Sequence, residues 1–226
     1  MSERLGISEE LIVLPVYLVV DTSASLTGEI GSINEAVSSL FRTLAANPAM
    51  ADTVRVALIE FSEDARIVIP LSDVGEITRV PALVAGGTTN YSAALRLVRQ
   101  VIPDDVASLK SEGFRVWRPV MFFVTDGSPA DHSWQIALEE LRPPEFRQGP
   151  TIVAIGFGSA DPAIIREIGS GKGGAFMISD AIGIPDAIGS IWSGLTSMVA
   201  ATVISSSGGP TQSPPIQVPP QWLNLS

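Results

Sequence analysis

The stretch LVVDTSASLTGEI, residues 18–30, sets an apolar run directly against Asp21 and the small hydroxyl residues Thr22, Ser23 and Ser25. Traced backwards, the run covers residues 13–20 and is apolar on both faces. That is the pattern of a strand buried from both sides in a parallel sheet covered by helices. An Asp at the end of such a strand, with hydroxyls two and four residues later, lets a turning loop aim alternate oxygen-bearing side chains at one point. The first strand therefore suggests both an architecture and a place for chemistry.

Outward from it, Ile33, Val37, Leu40, Phe41 and Leu44 fall at helical spacing until Asn47-Pro48 stops the pattern. Residues 53–61 and 65–71 read as two strands joined by Ser62-Glu63-Asp64, a link short enough for an antiparallel hairpin. Pro70 makes the second an edge strand. After Gly86-Gly87-Thr88-Thr89-Asn90 come helices over 91–101 and 104–111, then a two-faced apolar strand over 119–125 closed by Asp126-Gly127. A helix over 133–141, a strand over 151–157, a helix over 162–168, a short strand over 174–178 and a helix over 184–203 complete the series. Strands and helices alternate apart from the hairpin. The expected fold is an α/β Rossmann-like three-layer sandwich: a mostly parallel sheet, one short antiparallel edge strand, and helices on both faces.

The length of 226 residues suits one such domain with extensions. The expected division is an N-terminal extension over 1–12, the domain over 13–204 and a tail over 205–226. Five prolines fall within that tail, whose Ser, Gly and Gln content predicts an extended or disordered segment. Hydrophobic residues make up 46% of the chain, yet no apolar run approaches the roughly 18 residues of a membrane span. The apolar run at 11–20 contains Pro15 and lacks a signal peptide's basic flank, so the expected location is the cytoplasm. The lack of cysteine excludes disulfides, zinc ribbons and thiol nucleophiles, leaving oxygen as the donor for any metal. A net charge of −10 argues against nucleic acid and anionic lipid as partners.

Ligands of open α/β sheets bind beyond the carboxyl ends of the strands. Three segments deliver oxygen to that edge: Asp21-Thr22-Ser23-Ala24-Ser25, Thr88-Thr89-Asn90 and Thr125-Asp126-Gly127. Carboxylates with hydroxyls suit a hard divalent cation such as Mg2+, which keeps several waters and takes one or two carboxylates.

These segments also carry a family resemblance. DTSAS resembles the DxSxS signature of von Willebrand factor type A domains, and Thr89 in its Gly-Gly loop and Asp126 in TDG resemble the family's other two motif elements. The resemblance implies a metal-ion-dependent adhesion site at Asp21, Ser23, Ser25, Thr89 and Asp126. It implies Ser23, Ser25 and Thr89 as direct ligands and Asp21 and Asp126 as ligands directly or through water. Mg2+ is the expected ion, with Mn2+ or Ca2+ as alternatives, and the implied partner is a protein that completes the coordination with an acidic residue. Thr88 competes with Thr89, whose place directly before Asn90 fits the family register better. Within the family, LPVYLVVDTSAS, GEIGSINEAV, ALIEFSEDARIVIPL and GGTTNYSAAL most resemble bacterial TerY-like proteins of tellurite resistance and chemical stress. That subfamily implies an intracellular scaffold working beside a kinase or phosphatase. Ala24 stands where many relatives have Gly, which requires an ordinary backbone conformation there.

Two other readings compete. A Mg2+-dependent phosphatase of the haloacid dehalogenase type also starts from a strand-end Asp, but its second Asp is here Ser23. A scaffold with a vacant site would bind partners regardless of metal. His132, the only histidine, reads as a helix-entry residue rather than a base, and Gly169-Ser170-Gly171-Lys172-Gly173-Gly174 follows a helix and precedes a strand, the reverse of a phosphate loop. Trp222, Leu223 and Leu225 read equally as a docking motif or as residues folded back on the domain. The expected function is a non-enzymatic interaction module.

Overall fold

The computed structural model describes residues 11–169, 173–178 and 222–225. Its strands are β1 (Ile12–Asp21), β2 (Val54–Phe61), β3 (Ala65–Asp73), β4 (Arg115–Val116), β5 (Val120–Thr125), β6 (Thr151–Gly156), β7 (Gly174–Ile178) and β8 (Trp222–Asn224). The sheet runs in the order β3-β2-β1-β5-β6-β7-β8, with β4 beside the start of β1. All pairings are parallel except the two at the edges, β2 with β3 and β7 with β8.

Alternation along β1 feeds two separate cores. Leu14, Val16, Leu18 and Val20 face α1 (Ile30–Ala46), which buries Ile33, Val37, Leu40, Phe41 and Leu44 against them. Tyr17 and Val19 face the opposite layer, built by α3 (Tyr91–Ser111), α4 (Trp134–Leu141) and α5 (Pro162–Ile168). Neither layer could form alone, because each helix is apolar on one side only and needs the sheet to cover it. The expected three-layer, mostly parallel sandwich is the observed one.

Several details depart from the sequence reading. The two helices expected over 91–101 and 104–111 form a single α3 that passes through Pro103. Its buried stripe of Leu95, Val98, Ile102, Val106 and Leu109 continues in register across the proline, and that packing outweighs the roughly 3 kcal/mol a helix-interior proline costs. Asn47-Pro48 ends α1 but also starts α2 (Pro48–Thr53): the Asn47 side chain accepts from the Met50 amide at 3.4 Å, and proline is favoured in a first helical turn. β8 adds a second antiparallel edge strand, drawn from the segment read as extended or disordered. There the Leu225 amide donates to the Ala175 carbonyl at 2.9 Å. The helix expected over 184–203 lies outside the described residues.

Phe123, fully buried on β5, stacks on Phe61 at 5.0 Å and meets Tyr91 edge-on at 4.9 Å. Phe123→Ala is expected to lower unfolding free energy by about 3–5 kcal/mol, read from the urea midpoint.

Candidate metal centre

From β1 the chain winds to β2 and β3, then returns through α3 to β5 on the other side of β1. The neighbouring ends of β1 and β5 are therefore a topological switch point, where no crossover covers the crevice. Asp21 is the last residue of β1 and Thr125 the last of β5, so Asp126 and Gly127 leave the sheet beside the DTSAS loop.

A continuous run of hydrogen bonds joins the two loops. The Ser23 amide donates to Asp21 Oδ1 at 2.8 Å, the Ser23 and Ser25 hydroxyls share a bond of 3.1 Å, and the Ser25 hydroxyl donates to Asp126 Oδ1 at 3.0 Å. Asp21, Ser23 and Asp126 are buried while Ser25 is exposed, so the cluster opens to solvent on one side. The third loop is tied on through its backbone: the Gly86 amide donates to the Thr22 carbonyl at 2.8 Å, Ala24 N–H to the Gly87 carbonyl at 3.1 Å, and Asn90 N–H to the Ser62 carbonyl at 2.8 Å. Gly87 has φ +74°, and a Cβ there would stand 3.2 Å from the Glu63 amide nitrogen, so glycine is needed for this approach. Thr89 is half-buried, its hydroxyl facing Gly127 at 3.6 Å from where a Cβ would sit, whereas Thr88 is exposed. Four of the five expected residues are thus linked directly, and Thr89, not Thr88, is the hydroxyl turned toward the TDG loop. Ala24 sits in the 3-10 turn Ala24–Gly28, and no non-glycine residue among those described has positive φ. The departure from Gly carries no backbone strain.

Three further residues, outside the expected ligand set, support the site. Thr125, fully buried, donates its hydroxyl to Asp21 Oδ2 at 2.5 Å. Tyr91, also fully buried, donates to the Gly127 carbonyl at 2.7 Å and lies 3.2 Å from the Thr125 hydroxyl. Asp131 accepts from the Tyr91 amide at 2.8 Å and from the Ser92 hydroxyl, which anchors the start of α3 beside the site. The TDG motif marks Thr125 in the sequence, but only the parallel register of β1 and β5 sets it opposite Asp21. His132 is exposed just ahead of Ser133, the residue that precedes α4.

Residues 16–188 match the family model of the von Willebrand factor type A domain. The chain belongs to this family. Among solved structures, this VWA domain is similar to a von Willebrand factor type A protein from Catenulispora acidiphila, at 18% identity and a TM-score of 0.60 over 84% of this chain and 43% of that one. It is also similar to the ArnB paralog VWA2 from Sulfolobus acidocaldarius, at 20% identity and 0.58 over 84% and 46%. A third similar structure is proximal thread matrix protein 1 from the mussel byssus with a zinc-occupied MIDAS motif, at 21% identity and 0.50 over 70% and 39%. At these identities the likeness establishes the fold. The chain spans less than half the length of each of these structures. No curated protein sequence matches it.

The donor set of this VWA domain fits a hard divalent cation. Two buried carboxylates and three hydroxyls offer oxygen only, and neither Asp21 nor Asp126 forms an ion pair among the described residues. Burial holds the Asp21 carboxyl above the ordinary carboxylate range, against the hydrogen bonds from Thr125 and Ser23, and the charge of Asp126 raises it further. Asp126 is raised by burial too, opposed by the Ser25 hydroxyl. Among the described residues no three acidic or imidazole side chains converge on a point, so hydroxyls must complete any ligand set.

Folded-state values above the unfolded ones mean that ionising these acids costs more in the folded domain. Metal-free protein should therefore gain stability as pH falls from neutral through the raised values toward 3.8, the ordinary value. Asp126→Asn is expected to raise the neutral-pH melting temperature of the metal-free domain and to flatten that dependence, as read by thermal denaturation across pH.

Proposed function

We propose that this VWA domain is a non-enzymatic interaction module that holds a divalent cation, Mg2+ in the first place, between its DTSAS, Thr89 and TDG loops and captures a partner protein there. The observation that carries the reading is the hydrogen-bonded set Asp21-Ser23-Ser25-Asp126, in which two buried carboxylates have hydroxyl neighbours and, among the described residues, no ion-pair partner. Two carboxylates about neutralise a divalent ion, and hydroxyl ligands add no charge, so a bound ion stays attractive to an incoming carboxylate. The partner is accordingly a protein that presents an acidic side chain at this edge.

The residues divide the work by environment. Ser25, exposed, and Thr89, half-buried, stand where an arriving group can reach them. Asp21 has both oxygens engaged, by the Ser23 amide and the Thr125 hydroxyl, so it holds the loop and supplies charge from behind. The zinc-occupied MIDAS motif of the mussel protein supports divalent binding by a similar arrangement. A hydrolytic role gains no support, because Ser23 stands where a phosphatase would need a second acid, and its hydroxyl is shared with Ser25. The resemblance to TerY-like proteins supports a cytoplasmic place in a tellurite or chemical stress response, beside a kinase or phosphatase. No helix among the described residues is long and apolar enough to cross a membrane.

Calorimetric titration of Mg2+ and Mn2+ into metal-free protein is expected to show saturable binding, weakened about tenfold or more by Asp21→Ala or Asp126→Ala. Folded wild-type protein without saturable binding would refute the metal-bridged mechanism. Partner capture by pull-down should then be lost in chelator, and capture indifferent to chelator would favour the metal-free scaffold.

A further inference from the structure

At the far end of the sheet from the candidate metal centre, a groove opens between β3 and the C-terminal half of α3. It consists of two cavities of about 230 Å3 and 420 Å3 that share Leu71 and Asp105 as lining residues. The larger has the size of a small-ligand cleft, typically about 300–1,000 Å3. The groove follows the stretch where β3 loses regular register with β2, between Val56 and Ile59, and Pro70 lines it there.

The two cavities differ in chemistry. The smaller has an apolar floor of Ala57, Ile59, Ile67 and Leu71, and Ile67 is 43% exposed. The acids lining the larger are Asp73, Glu76, Asp105 and Glu112, and Asp104 lines the smaller one. Among the described residues Arg55 is the one basic residue on these walls, and it is already paired with Asp73 at 3.2 Å. Glu76, Asp104, Asp105 and Glu112 form no ion pair among the described residues. Asp105 is held in place from beneath, where the fully buried Tyr17 donates its hydroxyl to Asp105 Oδ2 at 2.8 Å.

We infer that this groove docks a segment of a partner protein in which an Arg or Lys stands beside a large apolar residue, with the cation among the carboxylates and the apolar side chain on the Ile67 and Leu71 floor. Charge complementarity selects this occupant over the others. A second copy of the chain carries the same net charge of −10 and is repelled. The chain's own residues 205–226 contain no Lys or Arg, and residues 1–10 set their single Arg4 among the acids Glu3, Glu9 and Glu10, so neither terminal segment offers the groove a net positive charge. A metal ion is disfavoured because the acids are spread along the groove, and no three of them converge. Arginine suits the site in particular, since its planar fork pairs with carboxylates while its stem lies on apolar surface.

The test measures fluorescence anisotropy of a labelled hexapeptide of alternating leucine and arginine against the full chain, with leucine–glutamate and leucine–serine hexapeptides as controls and excess Mg2+ present. Saturable binding of the arginine peptide alone is expected, weakened about tenfold by Asp104→Asn with Glu112→Gln and greatly reduced in about 0.5 M salt. The pair Glu35→Gln with Glu145→Gln makes the same change in charge on other exposed surfaces and should leave binding intact. No saturable binding to wild type overturns the proposal. So does equal weakening by the control pair, which shows unspecific attraction to an acidic protein, or weakening by Asp126→Asn, which relocates the peptide to the metal edge.

Discussion

The double pairing of β1 is the constraint on which the rest of this domain depends. It is parallel to β2 on one side and β5 on the other, and from Val13 to Asp21 every residue on it is buried. With backbone groups bonded on both flanks and side chains committed to two different cores, the strand cannot slide. A one-residue slip would exchange the sets packed against α1 and α3 and would draw Asp21 out of line with Thr125. The position of the acid thus follows from the packing of a strand that has no part in its chemistry. The same packing fixes the loop, because Thr22 donates both its amide and its hydroxyl to the Phe61 carbonyl at the end of β2.

Hydrogen bonds and charge are handled differently at the strand ends. Thr125, Ser23 and Ser25 meet hydrogen-bonding needs of the two aspartates, which offsets part of the penalty for burying them. None of those donors supplies positive charge, and both acids remain raised by burial. An Arg or Lys in the crevice would relieve that tension and fill the space. Hydroxyls leave it in place, so the geometry is held by neutral contacts while the electrostatic demand is left to whatever enters. A site of this kind is preorganised at some cost to the stability of the metal-free domain.

The parts of this arrangement that were legible in the sequence are those set by local pattern. The two-faced runs ending at Asp21 and Thr125, the hairpin around Ser62-Glu63-Asp64 and the amphipathic stripe of α1 each occupy a short window with one periodicity. The polar residues beyond those runs could be placed at the sheet edge because strand ends lie there. Features decided by contacts distant in sequence were not legible. Asn47-Pro48 carries the signal for stopping one helix and starting another, and only the burial of Met50 reveals that it does both. The bond between Thr125 and Asp21 spans 104 positions, and that between Tyr91 and Gly127 spans 36. The pairing of Trp222–Asn224 with β7 depends on a free strand edge whose existence no local composition announces.

Pro103 shows how such a misreading bears on function. Taken as a break, it yields two short helices whose relative direction is free. Taken through, it yields one helix of 21 residues, about 30 Å long. The first turn of that helix is capped by the Asn90 side chain and by Asp131 beside the TDG loop, while its last turns carry Asp105, and Glu112 directly after its end, along the groove at the opposite end of the sheet. A broken helix would leave those ends independent. The continuous one ties the orientation of the acidic wall to the loop that carries Thr89, because a rotation of α3 about its axis must move both. The apolar stripe from Leu95 to Leu109 resists such rotation, since it fits a sheet face defined by Tyr17, Val19, Met121 and Phe123. The core that determines the fold therefore also holds the two surfaces of the domain in a fixed relation.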